Sequence, residues 1–402
     1  MKKKLAVIGT GTAGILSLSH TLAFLNGHEW EVYSLYDPNT PILGIGESTT
    51  AAIPFLLGKG ANFSMMEDAP FLETTVKYGV RYVDWRPNDV WSRFPVPHYG
   101  IHFNNHFLHD FAEQRFKEVW KDKFKVIYCK VTDVIDMKDH AIVKSEHPDY
   151  KFDWVIDCRG WPTDYTDYEM AEAIPVNSAA VHGIDEPGDW EYTYHKAMPN
   201  GWMFGIPLTS RQGWGYLYNS DVTSLDQIAD DMSKHFKKNK RELNLRTFDF
   251  KNYIAKNCIT GRVVKNGNRA MFLEPLEALS GFYYSEVMRN MFDVMFFAEF
   301  TGQGKGKPEE EANKDLYTLG KTLEMFNSYV YHGGSIYDTP FWRMAKEKAN
   351  KNLQSEMFEI CKRQLNEFYR EDLNVDKFVF TFARKLWYDL DKQFGYNYFK
   401  LR

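Results

Sequence analysis

The chain has 402 residues, of which 44% are hydrophobic and 26% are charged, an ordinary composition for a globular protein with a large core. Its formal net charge of -5 argues against nucleic-acid binding, which needs a basic face, and no apolar stretch has the length of a membrane-spanning helix. The four cysteines are far apart and form no CxxC pair, which predicts a reduced, cytoplasmic protein without a zinc site or a disulfide framework.

The first elements in the chain are predicted to form a β-α-β unit. A buried strand is expected at Lys4–Ile8, and its apolar run stops at Gly9, which is too early for the core of a signal peptide. A glycine-rich turn and a helix with apolar residues at helical spacing follow, and a second strand is expected at Trp30–Leu35.

The glycine-rich turn between these elements has the GxGxxG spacing that binds dinucleotides when it follows a strand and opens a helix. Its glycines allow the backbone to approach a pyrophosphate, and the helix N-terminus favours negative charge. An acidic residue after the second strand would accept hydrogen bonds from ribose hydroxyls. The residues predicted to bind the cofactor here are Gly9, Gly11, Thr12, Ala13, Gly14 and Asp37. The alternative is a glycine turn without a ligand.

Later segments extend this α/β pattern. A second glycine-rich turn at Gly44–Thr50 leads into a helix, and helical patterns dominate from about residue 282. Residues 176–220 predict an antiparallel sheet with turns at Gly201, Gly205 and Gly213. Further strands are predicted at Val76–Trp85, Phe124–Met137 and Asp153–Asp157.

Two distant turns favour FAD over NAD as the cofactor. One follows a strand and contains Asp157 and Gly160, and the other spans Gly267–Gly281. A single dinucleotide fingerprint combined with two such turns suits a long cofactor folded across the sheet. Because no second fingerprint is found, reduced flavin is expected to come from another protein.

Aromatic residues make up 16% of the chain, which is a high share. A large packed core is one explanation, and a flat cavity lined by rings for a planar ligand is the other.

Together these segments resemble the flavin-dependent halogenases of the tryptophan-halogenase type, in a short and divergent form. The GxGTAG start and the GxGEST turn of that family are similar to residues 9–14 and 44–49. Its GWxWxIPL and FxEPLES segments resemble residues 201–208 and 272–277, and its DTPFW stretch matches residues 338–342. Two positions depart from the family: Phe204 stands for a tryptophan, and the turn Pro275–Gly281 is one residue longer.

The resemblance implies an α/β, Rossmann-like FAD-binding fold of the flavoprotein-monooxygenase type, with an antiparallel sheet and a helical C-terminal part. The FAD-binding domain is expected at residues 1–300, interleaved with a substrate region of sheet at about 60–120 and 175–255. Residues 301–402 would form helices over the substrate site. The resemblance also implies that the protein uses reduced FAD from a separate flavin reductase, a halide ion (bromide, iodide or chloride) and a small aromatic substrate.

Two residues are the predicted catalytic groups. Lys77 matches the lysine that in this family guides hypohalous acid to the substrate, by hydrogen bonding or as a haloamine. A surface lysine on an edge strand is the alternative. Glu277 would polarise the oxidant, take the proton of the substrate ring or hold the lysine, and the alternative is a carboxylate that caps the following helix.

The remaining predictions concern the cofactor, the halide and a barrier between flavin and substrate. The turns would add the cofactor-binding residues Gly46, Glu47, Ser48, Thr49, Asp157, Gly160 and Leu276. Ser280 and Gly281 would bind the halide, with Ser48 and Thr49 as further donors. The barrier would be Trp202, Phe204, Ile206 and Pro207, which core packing also explains. His98, His102, His106 and His109 are better explained as solvated or core residues than as a metal site.

Two other functions stay open. An aromatic hydroxylase with the same nucleotide-binding start would transfer oxygen directly and usually binds NAD(P)H itself. A flavin-binding protein that has lost catalysis would act as a sensor or partner, and the altered turn at 275–281 keeps this alternative open.

Overall fold

The computed structural model describes residues 2–42, 44, 47–299, 306–367 and 381–399. The chain divides into two compact units, each made of three segments. The first unit contains Met1–Thr75, Gly100–Glu169 and Tyr253–Gly320. The second unit contains Val76–Tyr99, Met170–Asn252 and Lys321–Arg402.

Strands make up most of the elements as far as Phe272, and helices follow from Ser280 onward. The strands are β1 Lys3–Ile8, β2 Trp30–Tyr36, β3 Thr75–Lys77, β4 Gly79–Val83, β5 Val90–Arg93, β6 Gly100–His102, β7 Phe124–Tyr128, β8 Val131–Asp136, β9 Ala141–Ser145, β10 Tyr150–Phe152, β11 Trp154–Asp157, β12 Tyr168–Met170, β13 Ser178–Ile184, β14 Thr193–Met198, β15 Gly201–Pro207, β16 Gln212–Tyr218, β17 Arg246–Asp249, β18 Tyr253–Ala255, β19 Ile259–Thr260, β20 Val263–Lys265 and β21 Met271–Phe272. The helices are α1 Thr12–Phe24, α2 Ala52–Ala61, α3 Met65–Asp68, α4 Asn105–Trp120, α5 Leu225–Phe236, α6 Ser280–Glu299, α7 Glu309–Tyr331, α8 Pro340–Leu353, α9 Glu356–Glu367 and α10 Thr381–Phe394.

The first unit is built on a six-stranded sheet in the order β19-β20-β11-β1-β2-β7. All its pairings are parallel except that of β19 with β20. Because β1 is central, Leu5, Ala6 and Val7 are fully buried, which explains their unbroken apolar run. Helix α1 returns from the end of β1 and packs against α2, α4 and α6. This is the predicted Rossmann-type unit.

The second unit is built on a seven-stranded sheet in the order β17-β13-β16-β15-β14-β4-β5. Its pairings are antiparallel, except that β14 and β4 run parallel. One face packs on α5, where Met203, Trp214 and Tyr216 join Ile228 and Met232 in one hydrophobic cluster. The predicted antiparallel sheet over residues 176–220 is confirmed.

The predicted turns at three glycines of this sheet are wrong. Gly201 begins β15, Gly205 lies inside it, and Gly213 lies in β16. A Cβ at Gly205 would lie 2.4 Å from the Trp214 ring. Gly205 therefore serves close packing, because the absence of a side chain there leaves room for the indole of the neighbouring strand.

The single strand predicted at Val76–Trp85 is also wrong, because the backbone breaks into β3 and β4 around Tyr78. Gly79 adopts φ 153° and approaches the next strand so closely that a Cβ would lie 2.1 Å from the carbonyl oxygen of Ser92. Such an approach requires glycine and re-aims the chain between the two strands.

The C-terminal part is helical, as predicted, over α6 to α10. Helix α7 begins in the first unit and ends in the second. Within the described ranges, no helix is both long and apolar enough to cross a membrane.

Candidate active site

The glycine-rich turn joins β1 to α1 in the first unit. Gly9 adopts φ 90°, and its N–H donates to the carbonyl oxygen of Leu35 at 2.8 Å. A Cβ at Gly14 would lie 1.9 Å from the carbonyl oxygen of Gly9, so no larger residue fits there. A Cβ at Gly267 would lie 2.5 Å from the Cβ of Ala13. The Thr12 hydroxyl donates to the side-chain oxygen of Asn105 at 2.9 Å.

Open space lies at the N-terminus of α1, where a Cβ at Gly11 would meet no atom within 4 Å. Gly11 is the N-cap residue, no side chain caps the helix, and its first turn carries no acidic residue. The first N–H groups of the helix are thus left for an anion. This cradle fits the pyrophosphate of FAD.

Asp37 follows β2 and is half-buried. One of its carboxylate oxygens accepts hydrogen bonds from the backbone N–H and the side-chain amide of Asn39, at 2.9 and 3.1 Å. Its position after the second strand is the one from which ribose hydroxyls are bound in dinucleotide folds.

The segment Glu47–Thr49 runs beside β6. Its backbone forms a bridge from Ser48 to His102, and the carbonyl oxygen of Glu47 accepts from the N–H of Phe103 at 3.0 Å. Both the N–H and the hydroxyl of Thr49 bond to the carbonyl oxygen of Ile101, at 3.1 and 2.8 Å. These two groups of Thr49 are therefore occupied by the fold, which removes them as donors to a halide.

Three details of this second turn bear on the cofactor. Glu47 is buried, and its carboxylate accepts from the backbone N–H of Asn105 at 3.4 Å. The buried hydroxyl of Thr50 has no hydrogen-bond partner in the part of the chain that the structure covers. A buried hydroxyl without a partner beside a predicted cofactor turn indicates a ligand-binding position. The motif ends at Thr49, so the sequence alone did not indicate Thr50. Gly46 lies outside the described residues.

Asp157 ends β11 and is buried between two guanidinium groups. Its carboxylate lies 2.8 Å from Arg159 and 3.4 Å from Arg269. Burial opposes its charge, but the hydrogen bonds and charge of Arg159 and the charge of Arg269 outweigh burial, so the pKa of Asp157 is lowered. Beyond it, Gly160 adopts φ 69° and faces open space.

The turn Pro275–Gly281 has an unusual backbone. Glu277 and Ala278 adopt φ 61° and 55°, in the left-handed region that residues other than glycine rarely enter. Leu276 and Glu277 are buried, and Ser280 and Gly281 open helix α6. Consecutive strained residues are typical of functional turns. The strained residues lie in the turn that was predicted from the sequence to be one residue longer than the family pattern.

Lys77 is buried at the end of β3 in the second unit, with 1% of its surface exposed. Its ammonium lies 5.5 Å from the centroid of the Phe94 ring, within the range of a cation–π contact. The alternative of a surface lysine on an edge strand is therefore excluded.

Trp202, Phe204 and Ile206 lie at alternate positions of β15 and share one face of the sheet, whereas Pro207 has the opposite parity. Trp202 is fully buried and Ile206 nearly so. The Phe204 ring lies against Gly215, where a Cβ would be 2.2 Å from its edge. The aromatic wall formed by Trp202, Phe204 and Ile206 is the face opposite α5.

His195 was not predicted from the sequence. It pairs with Phe204 across β14 and β15 and so lies on the same face as Phe204. Its ring is 4.8 Å from Trp202 and 5.2 Å from Tyr82, centroid to centroid. Burial is the main cause that lowers the pKa of His195 well below its ordinary value, and the positive charge of Lys77 is the second. Its place beside the barrier depends on the register between β14 and β15, which the sequence pattern does not give.

The histidines considered as a metal cluster have separate neighbours. The Nδ1 atom of His102 is 3.0 Å from the Thr75 hydroxyl, and the His106 ring packs on Gly44. His109 lies edge-on to Tyr36. Among the described residues, no group of three or more potential ligands could hold a metal ion.

The model of the tryptophan halogenase family matches residues 4–153 and 125–388. Tryptophan 7-halogenase RebH of Lentzea aerocolonigenes is 21% identical over 86% of this chain and 79% of its own length. Tryptophan 7-halogenase KtzQ of Kutzneria sp. (strain 744) is 26% identical, but the match spans 48% of this chain and only 38% of KtzQ.

Solved structures show the same fold. BrvH, a flavin-dependent halogenase from Brevundimonas sp. BAL3, superimposes with a TM-score of 0.78 at 17% identity, covering 98% of this chain and 90% of BrvH. The fold is thus the Rossmann-type FAD-binding fold with a helical C-terminal part. Since the family model covers most of the chain, this protein belongs to the tryptophan halogenase family of FAD-dependent oxidoreductases.

Proposed function

We propose that this protein is a flavin-dependent halogenase that places a halogen on an electron-rich aromatic or heteroaromatic substrate. The observation that carries the proposal is the burial of Lys77 in a family of halogenases, at the position where the family pattern has its catalytic lysine. The proposal includes a separate flavin reductase as the source of reduced FAD. The proposal also includes a cytoplasmic location, which is supported by the four free cysteine thiols of the chain.

FAD would be held in the first unit. The N-terminus of α1 would bind its pyrophosphate, with Gly11 leaving the space and Asp37 accepting from the ribose. The orphaned hydroxyl of Thr50 would be a further donor or acceptor for the cofactor. When bound and reduced, FAD would donate two electrons to molecular oxygen and so activate it as the oxidant that converts a halide ion into hypohalous acid.

The halide would lie near the turn Pro275–Gly281. The first N–H groups of α6 belong to Ser280 and Gly281, and a helix N-terminus attracts an anion. The left-handed residues Glu277 and Ala278 redirect the backbone just before this helix start. Backbone N–H groups alone would bind the halide here, and a monoatomic ion needs no further side-chain contact.

Lys77 would capture the oxidised halogen before it diffuses. A buried amine beside the Phe94 ring offers one nucleophilic nitrogen from which bulk water is excluded. Trp202, Phe204 and Ile206 would exclude the organic substrate from the flavin, so that only a small oxidant passes. Glu277 would then take the proton that the halogenated ring must lose.

The direct test replaces the lysine. We expect Lys77→Met to bind FAD but to form less than about a hundredth of the halogenated product, because the oxidant is no longer held. Lys151→Met, at an exposed position of strand β10, is the matched control and should retain wild-type activity. Product formed by Lys77→Met at the wild-type rate would exclude the proposed role of the lysine.

A further inference from the structure

Asn266 directly follows strand β20 and is fully buried. Its backbone N–H donates to the carbonyl oxygen of Asp157, at the end of β11, at 3.0 Å. Its side-chain oxygen accepts from the N–H of Gly267 at 2.8 Å. Because a backbone N–H can only donate, the oxygen of the Asn266 amide must face it, and the amide nitrogen faces the other way. The orientation of this side chain is therefore fixed.

The amide nitrogen of Asn266 joins two helices. It donates to the hydroxyl of Ser17 on α1 at 3.0 Å and to the carbonyl oxygen of Tyr284 on α6 at 3.2 Å. Both partners are buried, and all three residues belong to the first unit. A single buried side chain thus bonds to both of the helices whose N-termini are proposed to bind anions.

On α1 the contact continues into the first turn of the helix. The Ser17 hydroxyl accepts from Asn266 and donates its own hydrogen to the carbonyl oxygen of Ala13 at 2.8 Å. Gly267 approaches the same residue so closely that a Cβ there would lie 2.5 Å from the Cβ of Ala13. Ala13 is the second residue of α1, beside the N–H groups assigned to the pyrophosphate. The segment 266–267 therefore holds the start of α1 in place.

On α6 the contact lies one turn after the start of the helix. Ser280 and Gly281 open α6, and Tyr284 follows in its second turn. The Tyr284 hydroxyl donates to the side-chain oxygen of Asn268 at 2.9 Å, so the same short segment holds α6 twice. Because one helical turn is rigid, a fixed Tyr284 also fixes the direction of the N–H groups at Ser280 and Gly281.

Resting on the proposed function, we propose that Asn266 is a positioning residue for both anions. It holds the N-terminus of α1 on the FAD pyrophosphate and the N-terminus of α6 on the halide, and it contacts neither ligand itself. A hydrogen bond weakens steeply when its donor turns away from the acceptor, so a small displacement of either helix start lowers the affinity for the anion there. Oxidation of the halide also requires the flavin and the halide at a fixed separation.

Binding of oxidised FAD, followed by flavin fluorescence, tests the contact with α1 without any halogenated product. Ser17→Ala removes the hydroxyl that links Asn266 to the first turn, and we expect about tenfold weaker FAD binding. Ser19→Ala is the matched control, because Ser19 lies in the same helix, is equally buried, and has a hydroxyl without a hydrogen-bond partner among the described residues. FAD binding by Ser17→Ala as tight as by Ser19→Ala would overturn the inference.

The bromide dependence of product formation, at constant ionic strength and saturating FAD, tests the contact with α6. Asn266→Ala loses the bonds to both helices, so its KM for bromide should rise about tenfold and its FAD binding should weaken by a similar factor. Ser17→Ala keeps the bond from Asn266 to Tyr284, so its KM for bromide should stay within about twofold of wild type. A wild-type KM for bromide in Asn266→Ala would overturn the inference.

A matched asparagine controls for the loss of a buried amide as such. Asn313 on α7 is also buried, and its side-chain oxygen accepts from the N–H groups of Cys258 and Ile259, both at 2.9 Å. We expect Asn313→Ala to unfold at a lower temperature, as Asn266→Ala does, but to keep wild-type FAD binding and KM for bromide. Equal losses of FAD and bromide affinity in these two variants would indicate general destabilisation and overturn the inference.

Two further outcomes are distinguishable. If Asn266→Ala does not fold, the comparison of Ser17→Ala with Ser19→Ala decides the role of Asn266. A wild-type chain that binds FAD but forms no halogenated product with any halide overturns the proposed function, whereas weaker FAD binding by Ser17→Ala would still support the role of Asn266 at α1.

Discussion

Asp157 joins two of the three segments of the first unit through its carboxylate. It lies at the end of β11 and bonds to Arg159, and it pairs with Arg269 of a segment more than a hundred residues away. Because the pKa of Asp157 is lowered in the folded protein, its charge stabilises the fold above the unfolded pKa. That contribution is lost as the pH falls through the folded pKa.

We therefore predict that Asp157→Asn lowers the free energy of unfolding by about 3–5 kcal/mol at neutral pH, because two half-buried guanidinium groups lose the buried counter-charge between them. Urea denaturation measures this, and the difference from wild type should shrink in acid. The exposed Asp189→Asn is the control and should change little. An undiminished difference in acid would contradict this role of the charge.

Individual residues also show where the sequence was sufficient and where it was not. The positions of Gly9, Gly14 and Asp37 follow from a motif whose spacing is set by local backbone geometry. Gly205 could not be interpreted correctly, since its reason is the Trp214 ring on another strand. His195 and Thr50 were missed because unpartnered atoms appear only when the neighbours are known.

Helix α1 and its preceding turn form the element on which the cofactor proposal depends. Gly11 has φ -66°, so alanine fits its backbone, and the added methyl would meet no atom of the protein. We predict that Gly11→Ala folds with wild-type stability but binds FAD at least about tenfold more weakly, because the methyl occupies the space of the pyrophosphate.

Flavin fluorescence measures this binding, and thermal unfolding without FAD measures the stability. Gly183→Ala, another glycine with room for a methyl, is the matched control in β13 and should bind FAD normally. If Gly11→Ala bound FAD as tightly as wild type, the cofactor would have to approach the sheet elsewhere.

At the level of elements, periodicity predicted β1, α1, β2, β11 and the helical C-terminal part. It failed at β3 and β4, where the positive φ of Gly79 breaks a run that alternates smoothly in sequence. It also gave no hint of the left-handed residues Glu277 and Ala278, because neither residue type favours that backbone.

The two units of the whole molecule are each assembled from three separate segments. An interleaved order of the domains along the chain was predicted because no linker sequence was found. The hydrophobic pattern of the sequence cannot say which strands pair. The parallel pairing of β4 with β14 joins residues more than a hundred positions apart. The expected boundary at residue 300 stays a prediction.

We propose that the whole molecule transfers a halogen to an aromatic substrate. The most direct measurement incubates the protein with FAD, a flavin reductase and a panel of indoles, phenols and pyrroles, with chloride, bromide or iodide supplied in turn. A halogenase forms a product whose mass, read by mass spectrometry, changes with the halide supplied. A product heavier by one oxygen that forms equally without halide would contradict the proposal and indicate a hydroxylase.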